Sequence, residues 1–204
     1  MKAIPPEATL AYLFGKLEAH NPELLKLVAA ENEAEFVAAV EQVLGRAVNT
    51  IQNGAKQYRE MDERGLSLLL ADLMNHSGVS ATAERFNNGH VDVVVEHLLG
   101  GRWRYLGECK IHGGYQYHLA GCEQVLSYCG GQERRAFCLD FFKKSEMYER
   151  LKQLREQFDA ELPAKQDGAS VEHVVVLGAF LTTHEHASGS RVEILHLGCR
   201  VHME

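Results

Sequence analysis

Apolar residues recur at three- and four-residue steps through the first quarter of the chain. They are Leu10, Leu13 and Leu17, then Leu24, Leu25 and Val28, then Phe36, Val37, Val40, Val43 and Leu44. This is the period of amphipathic helices, so residues 7–57 are read as helical. Asn21-Pro22-Glu23 marks a helix start, because proline fits the first helical position, where its missing N–H costs nothing. A further helix is predicted from about Met61 to Asn75, with Leu66, Leu69, Leu70 and Leu73 as its buried stripe. The period then changes to two. Val91, Val93 and Val95 alternate with Asp92, Val94 and Glu96, as on a strand. Gly100-Gly101 supplies a tight turn, and Arg102 to Ile111 returns as a second strand.

Beyond this hairpin the pattern predicts a helix from about Tyr117 to Cys129. A third strand, Ala136 to Phe142, is apolar except for Asp140. Ser145 is positioned to cap a helix running to about Leu162. Two late strands are expected, at about His173–Thr182 and Arg191–His202, around a polar loop His184–Ser190 whose histidines are expected to be exposed. The order is that of an α/β layered domain with a mixed sheet flanked by helices, plus an N-terminal helical segment. The organisation read from it is a helical segment at 1–57 and a layered domain at 58–204.

Composition narrows the class without choosing it. Apolar residues make up 46% and charged residues 24% of the 204 positions, as in soluble globular chains. No apolar run approaches the ~20 residues that cross a bilayer, and Met1 to Pro6 lack a secretory signal's apolar stretch, so a cytoplasmic protein is expected. The five cysteines form no C-x-x-C pair and are expected to be reduced and mostly buried. A zinc site from Cys109, His112, His118 and Cys122 matches no standard spacing. The net charge of −7 argues against a protein that holds nucleic acid mainly by bulk charge; a basic surface has to be a local patch or lie across a dimer.

The chemistry concentrates in the hairpin. Glu108 and Lys110 share one face of the second strand, and Asp92 sits on its mostly valine partner. Burying an unpaired carboxylate or ammonium is costly, so three such groups on adjacent strands indicate a site. Two carboxylates suit a hard divalent cation, and an adjacent lysine can orient water and offset developing charge. The Cys109 carbonyl lies between them as a further oxygen ligand.

Asp92, fifteen intervening residues, then Glu108-Cys109-Lys110 resembles the signature of the PD-(D/E)xK (restriction-endonuclease-like) nuclease superfamily, with Val91 where that pattern has proline. Gln124-Val125-Leu126-Ser127-Tyr128 on the following helix resembles the QxxxY motif of its RecB-like members. Glu63 extends the apolar stripe of the preceding helix, where many members carry a metal-binding Glu; Glu84 is its rival as third acid. The stretch Gly107 to Gly114 is similar to small nuclease domains of bacterial defence loci, and the resemblance spans about Tyr58 to Phe158.

The resemblance implies a restriction-endonuclease-like core and hydrolysis of phosphodiester bonds, in DNA first, in a defence or DNA-processing setting. It implies Mg2+ (or Mn2+) held by Asp92, Glu108, Cys109 and Glu63, with Lys110, Gln124 and Tyr128 in support. A structure-specific repair nuclease and a non-catalytic nucleic-acid-binding or assembly module on the same fold are the alternatives. His112 and His118 are candidates for the same cleft. Arg102, Arg104, Arg134, Arg135, Lys143 and Lys144 are candidates for phosphate contacts. A homodimer through the apolar helices of residues 7–57 would pair two sites.

Overall fold

The computed structural model describes residues 6–86, 90–97, 103–144 and 146–202, without the side chains of 6–8 and 84–86. Four helices open the chain: α1 (Pro6–His20), α2 (Pro22–Ala29), α3 (Glu33–Asn53) and the short α4 (Ala55–Tyr58). Then follow α5 (Glu63–His76), β1 (Ser80–Phe86), β2 (His90–Glu96), β3 (Arg104–Ile111), α6 (Tyr115–Tyr128), β4 (Arg135–Phe142) and α7 (Met147–Glu161). The chain ends with β5 (Val171–Glu172), β6 (Phe180–Glu185) and β7 (Arg191–Arg200). Side chains set several helix starts. Asn21, Asn32 and Asp62 each accept a backbone N–H of the first turn, from Leu24, Glu35 and Gly65 respectively.

One mixed sheet joins the strands in the order β1-β2-β3-β4-β7-β6-β5. The β3/β4 and β4/β7 pairs are parallel and the others antiparallel. Helices cover both faces. Phe36, Val40, Leu44 and Ile51 of α3 and Leu66 and Leu70 of α5 share a core with Tyr105, Phe137, Leu139 and Leu195. On the other face Cys122 and Val125 of α6 and Leu151, Leu154 and Phe158 of α7 pack on Leu106, Cys138, Phe180 and Ile194.

The apolar stripe of α3 is therefore used up by the sheet rather than left for a partner. In the N-terminal helices the exposed large apolar side chains are Leu10, Tyr12, Leu13 and Phe14 of α1 and Val28 of α2. Buried charge also fixes α3. Glu41, 4% exposed, accepts from Tyr105 Oη (3.0 Å) and Arg135 Nη1 (3.0 Å) and bonds His173 Nε2 (3.0 Å).

Several elements differ from the sequence reading. The strand β1 was not expected: Ser80-Ala81-Thr82-Ala83 carries small side chains, so its alternation is weak. The late strand expected at His173–Thr182 lies instead at Phe180–Glu185. Val174, Val175 and Leu177, whose apolar character suggested a strand, are exposed. His184 consequently lies within β6 and is fully buried, not exposed in a loop. The residue flanking α7 is Glu146, with φ +78°. Ser145, Gly100-Gly101 and Arg102 lie outside the described residues.

Gly107 shows how tightly the central strands meet. A Cβ there would lie 1.9 Å from Phe137 Cζ, because the Phe137 ring covers the glycine from its registered partner position on β4. Gly107→Ala is expected to cost about 1–3 kcal/mol as an overpacked core. Urea midpoints test this, with Phe137→Leu in the double variant restoring most of the loss.

Candidate active site

The β2/β3 ladder runs from Glu96↔Arg104 to Val93↔Gly107. One step further, the antiparallel register sets Asp92 opposite Glu108, which places both carboxylates on the same face of the sheet. The ladder stops there because a side chain replaces it: Asp92 Oδ2 accepts the Cys109 N–H at 2.8 Å. This bond holds the Asp92 carboxylate against the Glu108-Cys109-Lys110 backbone.

Glu108 is fully buried. Lys110 Nζ donates to its Oε1 at 2.5 Å, and its Oε2 is buried with no hydrogen-bond partner among the described residues. Burial and the neighbouring Asp92 charge push the Glu108 carboxyl up to about 7, against the pull of Lys110. For Lys110 the balance is opposite. Its bond to Glu108 and the charges of Glu108, Asp92 and Glu63 outweigh burial and hold the ammonium above its ordinary range.

Glu63 reaches the same place from the N-terminus of α5. Its Oε2 accepts the Ile111 N–H at 2.8 Å and the Tyr117 hydroxyl at 3.4 Å, and its Oε1 lies 3.8 Å from Lys110 Nζ. The inward stripe of α5 thus delivers its acid to the C-terminal end of β3. Glu84 lies on β1, but its side chain is outside the described residues.

The helix α6 covers the site from the second face. Gly121 sits over Lys110: a Cβ at Gly121 would lie 3.3 Å from Lys110 Cγ. Gln124 Nε2 donates to Tyr128 Oη at 2.7 Å, one turn along. Tyr117, Gly121, Gln124 and Tyr128 follow at helical spacing on one flank of α6. Tyr117 and Gly121 meet Glu63 and Lys110, whereas the Gln124–Tyr128 bond runs along the helix.

Three carboxylates, one orphaned buried carboxylate oxygen and a charged lysine fit a hard divalent cation. A buried acceptor without a partner is rare and costly, and a cation on Glu108 Oε2 would satisfy it. The backbone carbonyl of Cys109 is the one group of that residue available here, since its side chain lies in the core on the α3/α5 face. Cys109 therefore does not join a zinc cluster with His112, His118 and Cys122.

Asp140 went unassigned in the sequence, although it is the single charge in the apolar run Ala136 to Phe142. It pairs in register with Lys110 and is fully buried. Its Oδ2 bonds His112 Nδ1 (2.6 Å) and its Oδ1 bonds His118 Nδ1 (2.9 Å). Burial alone would raise its carboxyl, but the two histidines bring it down to about 2. His112 is stacked on Phe142, with ring centroids 4.2 Å apart. It lines a cleft of about 850 Å³ that opens beyond Ile111, with Lys143, Lys144 and Arg150 on its walls. The cleft borders the acidic site rather than enclosing it. His118 faces the interior, not this cleft. Arg104 is paired with Glu133, and Arg135 with Glu41 and Glu193, which makes both structural cations.

Comparison with protein-family models, with curated proteins and with solved structures finds no match for this chain. Among the described residues no helix is long and apolar enough to cross a membrane.

Proposed function

We propose that this chain is a Mg2+- or Mn2+-dependent phosphodiesterase of the PD-(D/E)xK type, with a restriction-endonuclease-like core, that cleaves nucleic acid, DNA first among its substrates. The observation that carries the reading is the meeting of Asp92, Glu108 and Lys110 at the point where β2 parts from β3, with Glu108 Oε2 buried and unpartnered among the described residues. Asp92, Glu108, the Cys109 carbonyl and Glu63 would hold the cation. A cation so held supplies Lewis-acid polarisation of the phosphoryl group and a lowered pKa for water.

The protein's own groups define the rest of the chemistry. Lys110 is kept protonated by Glu108, so its role is to donate: it orients the attacking water and offsets charge that builds on the phosphate oxygens. Glu63 fixes the end of β3 through the Ile111 N–H and thereby positions Lys110. Gln124 and Tyr128 stiffen the covering helix. Lys143, Lys144 and Arg150 line the adjoining cleft, with Glu146 paired to Arg150 and Lys143 bonded to the Met61 carbonyl, and would offer the phosphate backbone a local cationic patch, as a chain of net charge −7 requires. A defence or DNA-processing setting is part of the proposal and rests on the resemblance in sequence alone.

Lys110→Met separates binding from catalysis. Its cation affinity, measured by calorimetry with Mn2+, is expected to stay within about tenfold of the parent, while cleavage falls about 10²–10³-fold, the usual cost of removing one transition-state donor. Equal loss of both would assign Lys110 to folding of the site instead.

A further inference from the structure

A second cluster of ligating side chains lies beside the acidic site, on residues that the proposed reaction does not use. His118 and Cys122 are one turn apart on the sheet-facing side of α6, Cys138 is on β4 and His196 is on β7. All four are fully buried. Ligand atoms of His118, Cys122 and Cys138 lie within 4.8 Å of one another. His196 Nδ1 lies 2.8 Å from His118 Nε2 and 3.7 Å from Cys122 Sγ. Register places the cluster: Glu108, Cys138 and His196 are consecutive partners across β3, β4 and β7, so it occupies the strands next to the carboxylates.

Hydrogen bonds at the far side of each imidazole aim these nitrogens. The Ala164 carbonyl only accepts, so His184 Nδ1 (3.1 Å) carries the proton between them. A neutral His184 then accepts from the Thr182 hydroxyl at Nε2 (2.7 Å). Thr182 Oγ1 in turn accepts from His196 Nε2 (2.6 Å), which leaves a bare lone pair on His196 Nδ1 pointing into the cluster. On the other side, the Asp140 carboxylate takes the His118 Nδ1–H, so His118 turns Nε2 toward His196 Nδ1, while Cys138 Sγ lies 3.8 Å from His118 Nδ1. Metal-binding histidines are held in this way, with the second ring nitrogen donating to a carboxylate or another oxygen. Without a cation the same network demands a second proton on His118, an imidazolium in a dry layer beside two thiols.

We propose that His118 Nε2, Cys122 Sγ, Cys138 Sγ and His196 Nδ1 form a tetrahedral site for a transition-metal dication of the zinc class, distinct from the acidic site and chemically orthogonal to it. Two thiolates balance the charge of the ion, and sulfur and imidazole ligands select against Mg2+, which the carboxylates favour. All ligand positions come from the protein and none faces solvent, so the ion is structural. It ties α6 to β4 and β7 directly behind the acidic site. The inference does not depend on the proposed reaction.

The test uses the full chain. Elemental analysis after exhaustive dialysis against Mg2+ buffer is expected to find about one zinc per chain. Protein produced with Co2+ is expected to show the intense visible bands of tetrahedral cobalt together with thiolate-to-cobalt charge transfer. Glu108→Gln retains both signals, whereas Cys122→Ser and Cys138→Ser each lose the charge-transfer band or shift it markedly. Folded parent protein without bound metal and without these bands overturns the proposal. A Cys122–Cys138 disulfide, or cobalt spectra that two folded cysteine variants leave unchanged, also overturns it. Should the variants fail to fold, the parent's cobalt spectrum decides alone.

Discussion

Glu108→Gln will be more stable than the parent protein and inactive. Burial and Asp92 raise the Glu108 carboxyl from its ordinary 4.5 to about 7, so the folded state favours the protonated form. Ionisation therefore opposes folding. In EDTA, stability from this group is fully present below about pH 4.5, falls as pH rises toward 7, and stays reduced above it. The shift corresponds to about 3 kcal/mol. Removing the ionisable group should raise the unfolding free energy by up to that amount at pH 8, with the gain vanishing near pH 4.5. Glutamine keeps an oxygen for Lys110, so the change isolates the charge. Mg2+ should stabilise the parent and not the variant, and cleavage should fall about 10³-fold or more, as expected when several kcal/mol of transition-state stabilisation is lost. Urea unfolding across pH 4.5–8, with and without Mg2+, checks the stability claims. Equal stability of the two proteins at pH 8 in EDTA would mean that Glu108 is not held under electrostatic stress.

The largest loss of stability should come from a residue far from that chemistry. Glu41 is the shared acceptor for Arg135, His173 and the Tyr105 hydroxyl, all in the layer between α3 and the sheet. Its carboxyl is held below the ordinary range: burial acts to raise it, and the bonds to His173 and Arg135 prevail. Glu41→Ala leaves a largely buried guanidinium, an imidazole and a phenol without their common partner. Breaking such a pair from one side costs about 3–5 kcal/mol. Denaturant unfolding should show that loss, and Glu41→Gln should recover part of it through the remaining acceptor oxygen. A change below about 1 kcal/mol, the range of exposed ion pairs, would mean that α3 is held by apolar contacts alone.

The same residue illustrates what could be read from the chain. The α3 stripe Phe36, Val37, Val40, Val43 and Leu44 is legible as a helix face because its contacts recur within a few residues. That this face is covered by the sheet, with Glu41 reaching His173 across 132 positions, is a tertiary fact that no local period carries. The acidic site was legible for the opposite reason: Glu108 and Lys110 lie on one strand, and the strand's period of two alone sets them on one face. Glu63 followed from a helical stripe that ends in an acid. The His118, Cys122, Cys138 and His196 cluster draws on three elements with separations of up to 78 positions, so spacing rules tuned to compact zinc motifs pass over it. The strand β6 was misplaced because exposed Val174 and Leu177 look apolar in sequence, and burial cannot be read from residue type alone.

The most direct measurement of the central claim is a cleavage panel. Supercoiled plasmid, single- and double-stranded DNA oligonucleotides and an RNA oligonucleotide are incubated with the full chain in Mg2+, in Mn2+ and in EDTA, beside Asp92→Asn and Glu108→Gln. Nicking or cutting of DNA is expected with Mg2+ or Mn2+, none in EDTA, and none by either variant although both remain folded. Cleavage that persists in EDTA or in the folded variants would contradict it, as would a folded parent that binds Mn2+ at these carboxylates yet cuts nothing in the panel.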